Sequence, residues 1–243
     1  MTDISTLPFL RVATLNLLAN RYALRERVEH LTTLLEKENV DFLLLQEVLC
    51  KKNGKVNIPA VLGERLGLEH AVEHHLPGRS SGNVTLSRYP LEKLTGVPED
   101  LRILVTRTFI GDREVVVINN HGSWGSFAGG ERLNEALFAD GVARATFDRY
   151  SPDVAKGYRP HRDQRPIVIY GGDLNTTPDT APIRYLTGRD VVDGRSTLWL
   201  DAWDAAAPGA DGATIAPTVY SGIELSGRTD TPYLHWRHPS QRY

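Results

Sequence analysis

Residues 40–48 read Val-Asp-Phe-Leu-Leu-Leu-Gln-Glu-Val, an apolar run of strand length that stops in two polar residues. A strand with one wet face alternates apolar and polar side chains, so a run without alternation suits a strand buried on both faces. Such a strand needs a covering layer on each side. Pro166 to Tyr170 (PIVIY) makes the same demand and runs into Gly-Gly-Asp-Leu-Asn. Arg11 to Leu17 (RVATLNL) and Gly82 to Tyr89 (GNVTLSRY) complete the strand candidates of the first half. Leu101 to Ile110 and Arg113 to Asn119 read as a hairpin on a Gly111-Asp112 turn.

The covering layers are legible too. From Tyr22 to Glu38, Leu24, Val28, Leu31, Leu34 and Leu35 recur at spacings of three and four, which predicts an amphipathic helix stopped by Asn39. Glu131 to Arg149 predicts a second long helix. Ile58 to Leu66 predicts a short one opening at Pro59, and another short helix follows Pro178. The segments 122–130, 151–165 and 205–240 read as loops, and His70, His74 and His75 as part of a solvated loop with no zinc-site spacing. No repeat or linker-like break divides the 243 residues, so residues 1–243 are expected to form one α/β domain whose helices cover sheets.

Composition narrows the class. Hydrophobic residues make up 41% and charged residues 24%, which excludes wholesale disorder. The single cysteine, Cys50, excludes an intrachain disulfide framework and a cysteine zinc site. A net charge of −2 excludes an all-over basic coat, though not a local basic cleft. No apolar run approaches a membrane span, and the N-terminus lacks the basic region and cleavage site of a signal peptide, so a cytoplasmic protein is expected. A monomer is the expected state.

The apolar strands share an oddity: each ends in polar groups with chemical capacity. Arg11 to Leu17 carries Asn16, the 40–48 run ends in Gln46-Glu47, Val115 to Ile118 ends in Asn119-Asn120-His121, and PIVIY leads to Asp173-Leu174-Asn175. Strand ends are where a rigid scaffold presents reactive groups. Asn, Glu, His and Asp are the set that an oxygen-seeking cation and a phosphoryl group need, and Mg²⁺ asks for only one or two carboxylates. No serine sits in a strand-to-helix nucleophile elbow, and there is no Gly-rich phosphate loop of the Walker or Rossmann type. Each of these residues also has a plainer reading: Glu47 as a surface carboxylate, Asn16 as a turn residue, His121 as a structural histidine, Asp173 and Asn175 as turn or cap residues. Trp124 either lines a cleft or packs on a neighbouring strand. Lys156, Arg159, Arg162 and Arg165, with Tyr158 and His161, form a loop that could contact phosphates and stack bases, or simply be solvated.

In this order, TLNLLAN, LLLQEV, GNVTLSRYPL, NNHGSW and GGDLNTTPDT resemble the endonuclease/exonuclease/phosphatase family, the group with the deoxyribonuclease-I-like fold. The resemblance implies a four-layer α/β/β/α sandwich of two mixed β-sheets flanked by helices. It implies that Glu47 holds a divalent metal, Mg²⁺ or Mn²⁺, with Asn16 beside it. His121 and Asn175 would bind the scissile phosphate, and Asp173 would orient or activate water. The implied activity is metal-dependent phosphodiester hydrolysis, with nucleic acid as substrate and Trp124, Arg159 and Arg162 as substrate contacts. A phosphoesterase on a small molecule or lipid headgroup, and a binding module without chemistry, are the alternatives. The family usually closes with an Arg-x-Asp-Tyr strand and a Ser-Asp-His segment. Here Gln241-Arg242-Tyr243 resembles the opening of that strand, so the expectation is a natural chain that continues with Asp and a later Asp-His. Asp230 with His235 or His238 would be the substitutes otherwise.

Overall fold

A computed structural model describes residues 9–19, 24–49, 57–125, 127–150 and 165–209. Two compact units are distinguished, one drawn from 1–121 and 142–172, the other from 122–141 and 173–243.

The first unit holds two four-stranded sheets. In one, β1 (Val12–Asn16), β2 (Phe42–Leu49), β4 (Ser81–Ser87) and β3 (His70–His74) lie in that order. The β1–β2 pair is parallel, while β2–β4 and β3–β4 are antiparallel, so this sheet is mixed. The other runs β5 (Glu92–Lys93), β6 (Ile103–Ile110), β7 (Arg113–His121), β8 (Ile167–Asp173), and the predicted hairpin is present with Ile110 paired to Arg113. Helix α1 (Leu24–Glu36) and helix α2 (Ile58–Leu66) flank the first sheet.

The reason β2 reads as an unbroken apolar run is now visible. Leu43 and Leu45 pack with Val28 of α1 and with Ile58 and Leu62 of α2. The alternate residues Phe42 and Leu44 turn the other way, onto Val115 and Val117 of β7. All four leucine and phenylalanine side chains are fully buried. The chain thus forms the expected α/β architecture of two β-sheets flanked by helices. Helix α3 (Gly129–Arg149) ends against β7, where Arg149 Nη2 donates to the buried Glu114 carboxylate at 2.8 Å.

Three expectations are corrected. His70 and His74 lie in β3, not in a solvated loop: the segment pairs with β4 through its backbone, and His74 Nε2 sits 3.3 Å from the Leu101 carbonyl. Leu34 is 54% exposed, off the buried stripe of α1 whose centre is Val28 and Thr32. Ala205 and Ala206, expected to open a loop, instead close a short helix over Ala202–Ala206, opened by Asp201, whose carboxylate accepts from the N–H groups of Trp203 and Asp204.

In the second unit, α4 (Ala181–Leu186) and α5 (Ala202–Ala206) follow the Gly-Gly-Asp-Leu-Asn turn. The buried carboxylate of Asp140, on α3, accepts from Tyr185 Oη, Thr197 Oγ1 and Trp199 Nε1 and so binds three segments to one helix. Among the described residues no helix is long and apolar enough to cross a membrane.

Candidate active site

The pairing of β2 with β4 runs regularly to Leu45–Val84 and resumes at Val48–Gly82, so Gln46 and Glu47 together oppose Asn83. This is a β-bulge, a device that bends a strand and re-aims a side chain. Glu47 takes a φ of 55°, a left-handed conformation that costs a residue with a Cβ about 1–2 kcal/mol. Strain of this kind persists where the surroundings over-determine it. Here they do. Asn16, at the end of β1, donates from Nδ2 to Glu47 Oε1 at 3.2 Å, and its Oδ1 accepts the N–H of Leu18 at 2.7 Å. Asn16 therefore orients the carboxylate. Glu47 Oε2 has no partner among the described residues.

His121 ends β7. Its N–H donates to the Arg102 carbonyl at 2.9 Å, and its Nε2 lies 3.7 Å from Glu47 Oε1. Burial pushes the imidazole pKa down to about 4; the nearby Glu47 carboxylate raises it and Arg102 lowers it, but desolvation dominates. At neutral pH the site therefore pairs one carboxylate with a neutral imidazole. The first unit brings Asn16, Glu47 and His121 together.

Asp173, Asn175 and Gly122 form a second group, in the other unit. Asp173 Oδ1 accepts the Asn175 N–H at 3.0 Å, an Asx-type turn with Asn175 at a φ of 48°. Asn175 Nδ2 donates to the Gly122 carbonyl at 2.9 Å, and the Gly122 N–H donates to the Asp173 carbonyl at 2.7 Å. A Cβ at Gly122 would overlap the Leu174 backbone, so only glycine permits this approach. The loop that follows is strapped to α3. Glu135 accepts from the N–H and the hydroxyl of Ser123, and Arg132 Nη1 donates to the carbonyls of Ser123 and Gly125. The strapped loop holds Trp124 in solvent, 71% exposed, so it does not pack on a neighbouring strand.

Arg159 and Arg162, with Lys156, Tyr158 and His161, lie outside the described residues, as do Asp230, His235, His238 and Gln241 to Tyr243. Among the described residues no three His, Cys, Asp or Glu side chains gather into a closed metal cage. The Gly78-Arg79-Ser80-Ser81-Gly82 segment leads into β4 and not into a helix, so its serines form no nucleophile elbow.

Sequence reasoning missed one set of residues. Gln46, Asn83 and Asn119 are polar and almost wholly buried between the sheets beside this site. Gln46 and Asn119 show in the sequence only as polar residues towards the ends of β2 and β7, and Asn83, inside β4, gives no signal of its own.

The likeness to solved structures is clear in fold and low in sequence. A humanized D. rerio TDP2 carrying 14 mutations superposes with a TM-score of 0.57 at 15% identity, over 88% of this chain and 78% of that one. The D. rerio TDP2 complexed with single strand DNA product gives a TM-score of 0.51 at 14% identity, over 84% and 72%. TDP2 from C. elegans gives 0.50 at 17% identity, over 83% of this chain and 55% of that one. No curated protein matches by sequence. The sequence matches the model of the Endonuclease/Exonuclease/phosphatase family over residues 13–239. With nearly its whole length matched, the chain belongs to the endonuclease/exonuclease/phosphatase family.

Proposed function

We propose that the protein is a divalent-metal-dependent hydrolase that cleaves phosphodiester bonds in nucleic acid. The observation that carries this reading is Glu47: a carboxylate held in a left-handed bulge, one oxygen fixed by Asn16 and the other without a partner among the described residues, beside a neutral histidine. That donor set fits Mg²⁺ or Mn²⁺, hard cations that take oxygen ligands and keep several waters. A divalent ion bound there supplies polarisation of a phosphoryl oxygen and a more acidic water.

The chain's own residues do the rest. Glu47 holds the ion, and Asn16 keeps its carboxylate aimed. His121, being uncharged, serves as a hydrogen-bond donor to a phosphoryl oxygen and not as a cation or a proton source at neutral pH. Asn175 offers a second donor to phosphate, and Asp173 orients the attacking water. Trp124 presents an indole face to an unpaired base, and Arg159 and Arg162 contact backbone phosphates. Nucleic acid is favoured as substrate by the family, by the fold shared with a D. rerio TDP2 solved with single strand DNA product, and by the basic composition of residues 156–165.

The test is turnover of plasmid, single-stranded DNA, RNA and a chromogenic phosphodiester, with Mg²⁺, with Mn²⁺ and with chelator. Metal-dependent cleavage of DNA or RNA that weakens steeply with salt and disappears in Glu47→Gln is expected. Cleavage confined to small or lipid phosphoesters, without salt dependence, would transfer the assignment to those substrates. No metal-dependent cleavage of any phosphodiester would overturn it.

A further inference from the structure

The layer between the two sheets changes character along its length. At one end it is apolar: Phe42, Leu44, Val115 and Val117, with Ile110, Ile167 and Ile169 against them. Towards Glu47 and His121 the same facing rows become Gln46 on β2, Thr14 on β1, Asn83 and Thr85 on β4, and Asn119 on β7. Gln46, Thr85 and Asn119 are 0% exposed and Asn83 is 2% exposed. Buried amides destabilise unless every group is paired, so a network kept at this depth calls for an accounting of its bonds.

The bonds cross the layer in both directions. From β7, Asn119 Nδ2 donates to the carbonyls of Leu45 at 3.2 Å and Val84 at 3.0 Å, the last register pair before the bulge. Its Oδ1 accepts from Gln46 Nε2 at 2.8 Å. From β4, Asn83, the residue opposite the bulge, donates to the Asn119 carbonyl at 3.1 Å and the Arg102 carbonyl at 2.7 Å. That Arg102 carbonyl also receives the N–H of His121.

We propose that Asn119 and Asn83 are positioning residues: a cross-sheet amide staple that holds the Glu47 bulge and sets His121 beside it, so that Glu47 is presented for metal. Asn119 ties down the strand pair from which the bulge springs. Asn83 ties the strand opposite the bulge to the carbonyl on which His121 hangs. The distance between Glu47 and His121 is thus fixed from beneath by groups that touch neither metal nor substrate. This inference rests on the reading that Glu47 holds the ion.

The test compares Asn83→Ser and Asn119→Ser with Val117→Ala, a cavity in the same apolar layer that leaves the staple intact. Melting temperature, Mn²⁺ affinity by calorimetry, and the backbone chemical shifts of Glu47 in metal-free protein are read for each. Groups that orient a metal ligand through hydrogen bonds are worth about 10–100-fold in affinity, so Asn83→Ser is expected to weaken Mn²⁺ binding at least about tenfold and to move the Glu47 shifts. Val117→Ala, with a comparable loss of melting temperature, is expected to change neither. If Asn119→Ser does not fold, Asn83→Ser decides alone. Unchanged Mn²⁺ affinity and unchanged Glu47 shifts in Asn83→Ser, or equal losses in Val117→Ala, would overturn the staple. If Glu47→Gln binds Mn²⁺ as tightly as the wild type, the metal reading falls instead, and the staple is then judged on the Glu47 shifts alone.

Discussion

His121 Nε2 stands 3.7 Å from Glu47 Oε1, yet burial outweighs the pull of that carboxylate and holds the imidazole pKa at about 4. In an unfolded chain the same group titrates near 6.5. In metal-free protein, therefore, the unfolded state takes up a proton that the folded state refuses as pH falls below 6.5. The contribution to stability is present in full above about pH 6.5 and is lost by about pH 4, a total of about 3 kcal/mol. Denaturation curves across that range, compared with His121→Gln, should show the slope in the wild type and its removal in the variant. An imidazole NMR titration with a midpoint near 6.5 would contradict it.

Glu47 supplies a second expectation, because its backbone strain and its charge are separable. Glu47→Gly relieves a left-handed φ worth about 1–2 kcal/mol but adds about 0.5–1 kcal/mol of unfolded-state entropy, so the metal-free protein should gain up to about 1.5 kcal/mol. Glu47→Gln keeps the strain and should stay within about 0.5 kcal/mol of the wild type. Both should lose Mn²⁺ binding. Urea denaturation and calorimetric titration of the three proteins check this. Wild-type affinity in either variant would remove Glu47 from the metal site.

Gly172, one residue before the end of β8, is expected to tolerate no side chain. Its φ is 136°, and a Cβ there would run into the backbone of Asn120 on β7. Backbone cannot swing aside as a flexible side chain can, so Gly172→Ala should cost more than about 2 kcal/mol. Gly171→Ala would meet only the Leu44 side chain at 3.6 Å, an ordinary contact, and should cost much less. Equal melting temperatures for the two variants would refute the argument.

Trp124 gives an expectation that separates binding from folding. Its ring is exposed, so Trp124→Ala should leave stability within about 0.5 kcal/mol. Base stacking on an aromatic face is worth about 1–3 kcal/mol, so KM for single-stranded DNA should rise roughly tenfold or more with kcat little changed. Glu135→Gln, which weakens the strap on Ser123, should raise KM in the same direction without touching the ring. Unaltered KM in both would show that the loop plays no part in substrate binding.

What could be read from the sequence follows the strength of the physical signal. The burial of β2 on both faces was legible because two different layers each claim alternate residues of one run. β3 was not, because His-Ala-Val-Glu-His pairs through its backbone and carries too few apolar side chains to show a period. The two-residue β5 is too short for any pattern. Asn16 and Glu47 were legible as strand-end polar residues, but the bulge was not: glutamate carries no turn signal, and its left-handed φ is imposed by neighbours remote in sequence. Asn119 and Asn120 look alike on paper. Only the register shows that Asn119 faces the first sheet while Asn120 donates to Tyr170 Oη.

The graded layer between the sheets has two thermal characters. At its apolar end cohesion comes from water released by Phe42, Leu44, Val115 and Val117, a force that is entropic near room temperature and weakens on cooling. At its amide end cohesion comes from directional bonds among Gln46, Asn83 and Asn119, which are enthalpic and lose their hold as the chain warms. Warming therefore loosens the region around Glu47 and His121 while the far end still tightens, and cooling does the reverse. The end of this layer that carries Glu47 and His121 is the end that heat loosens first.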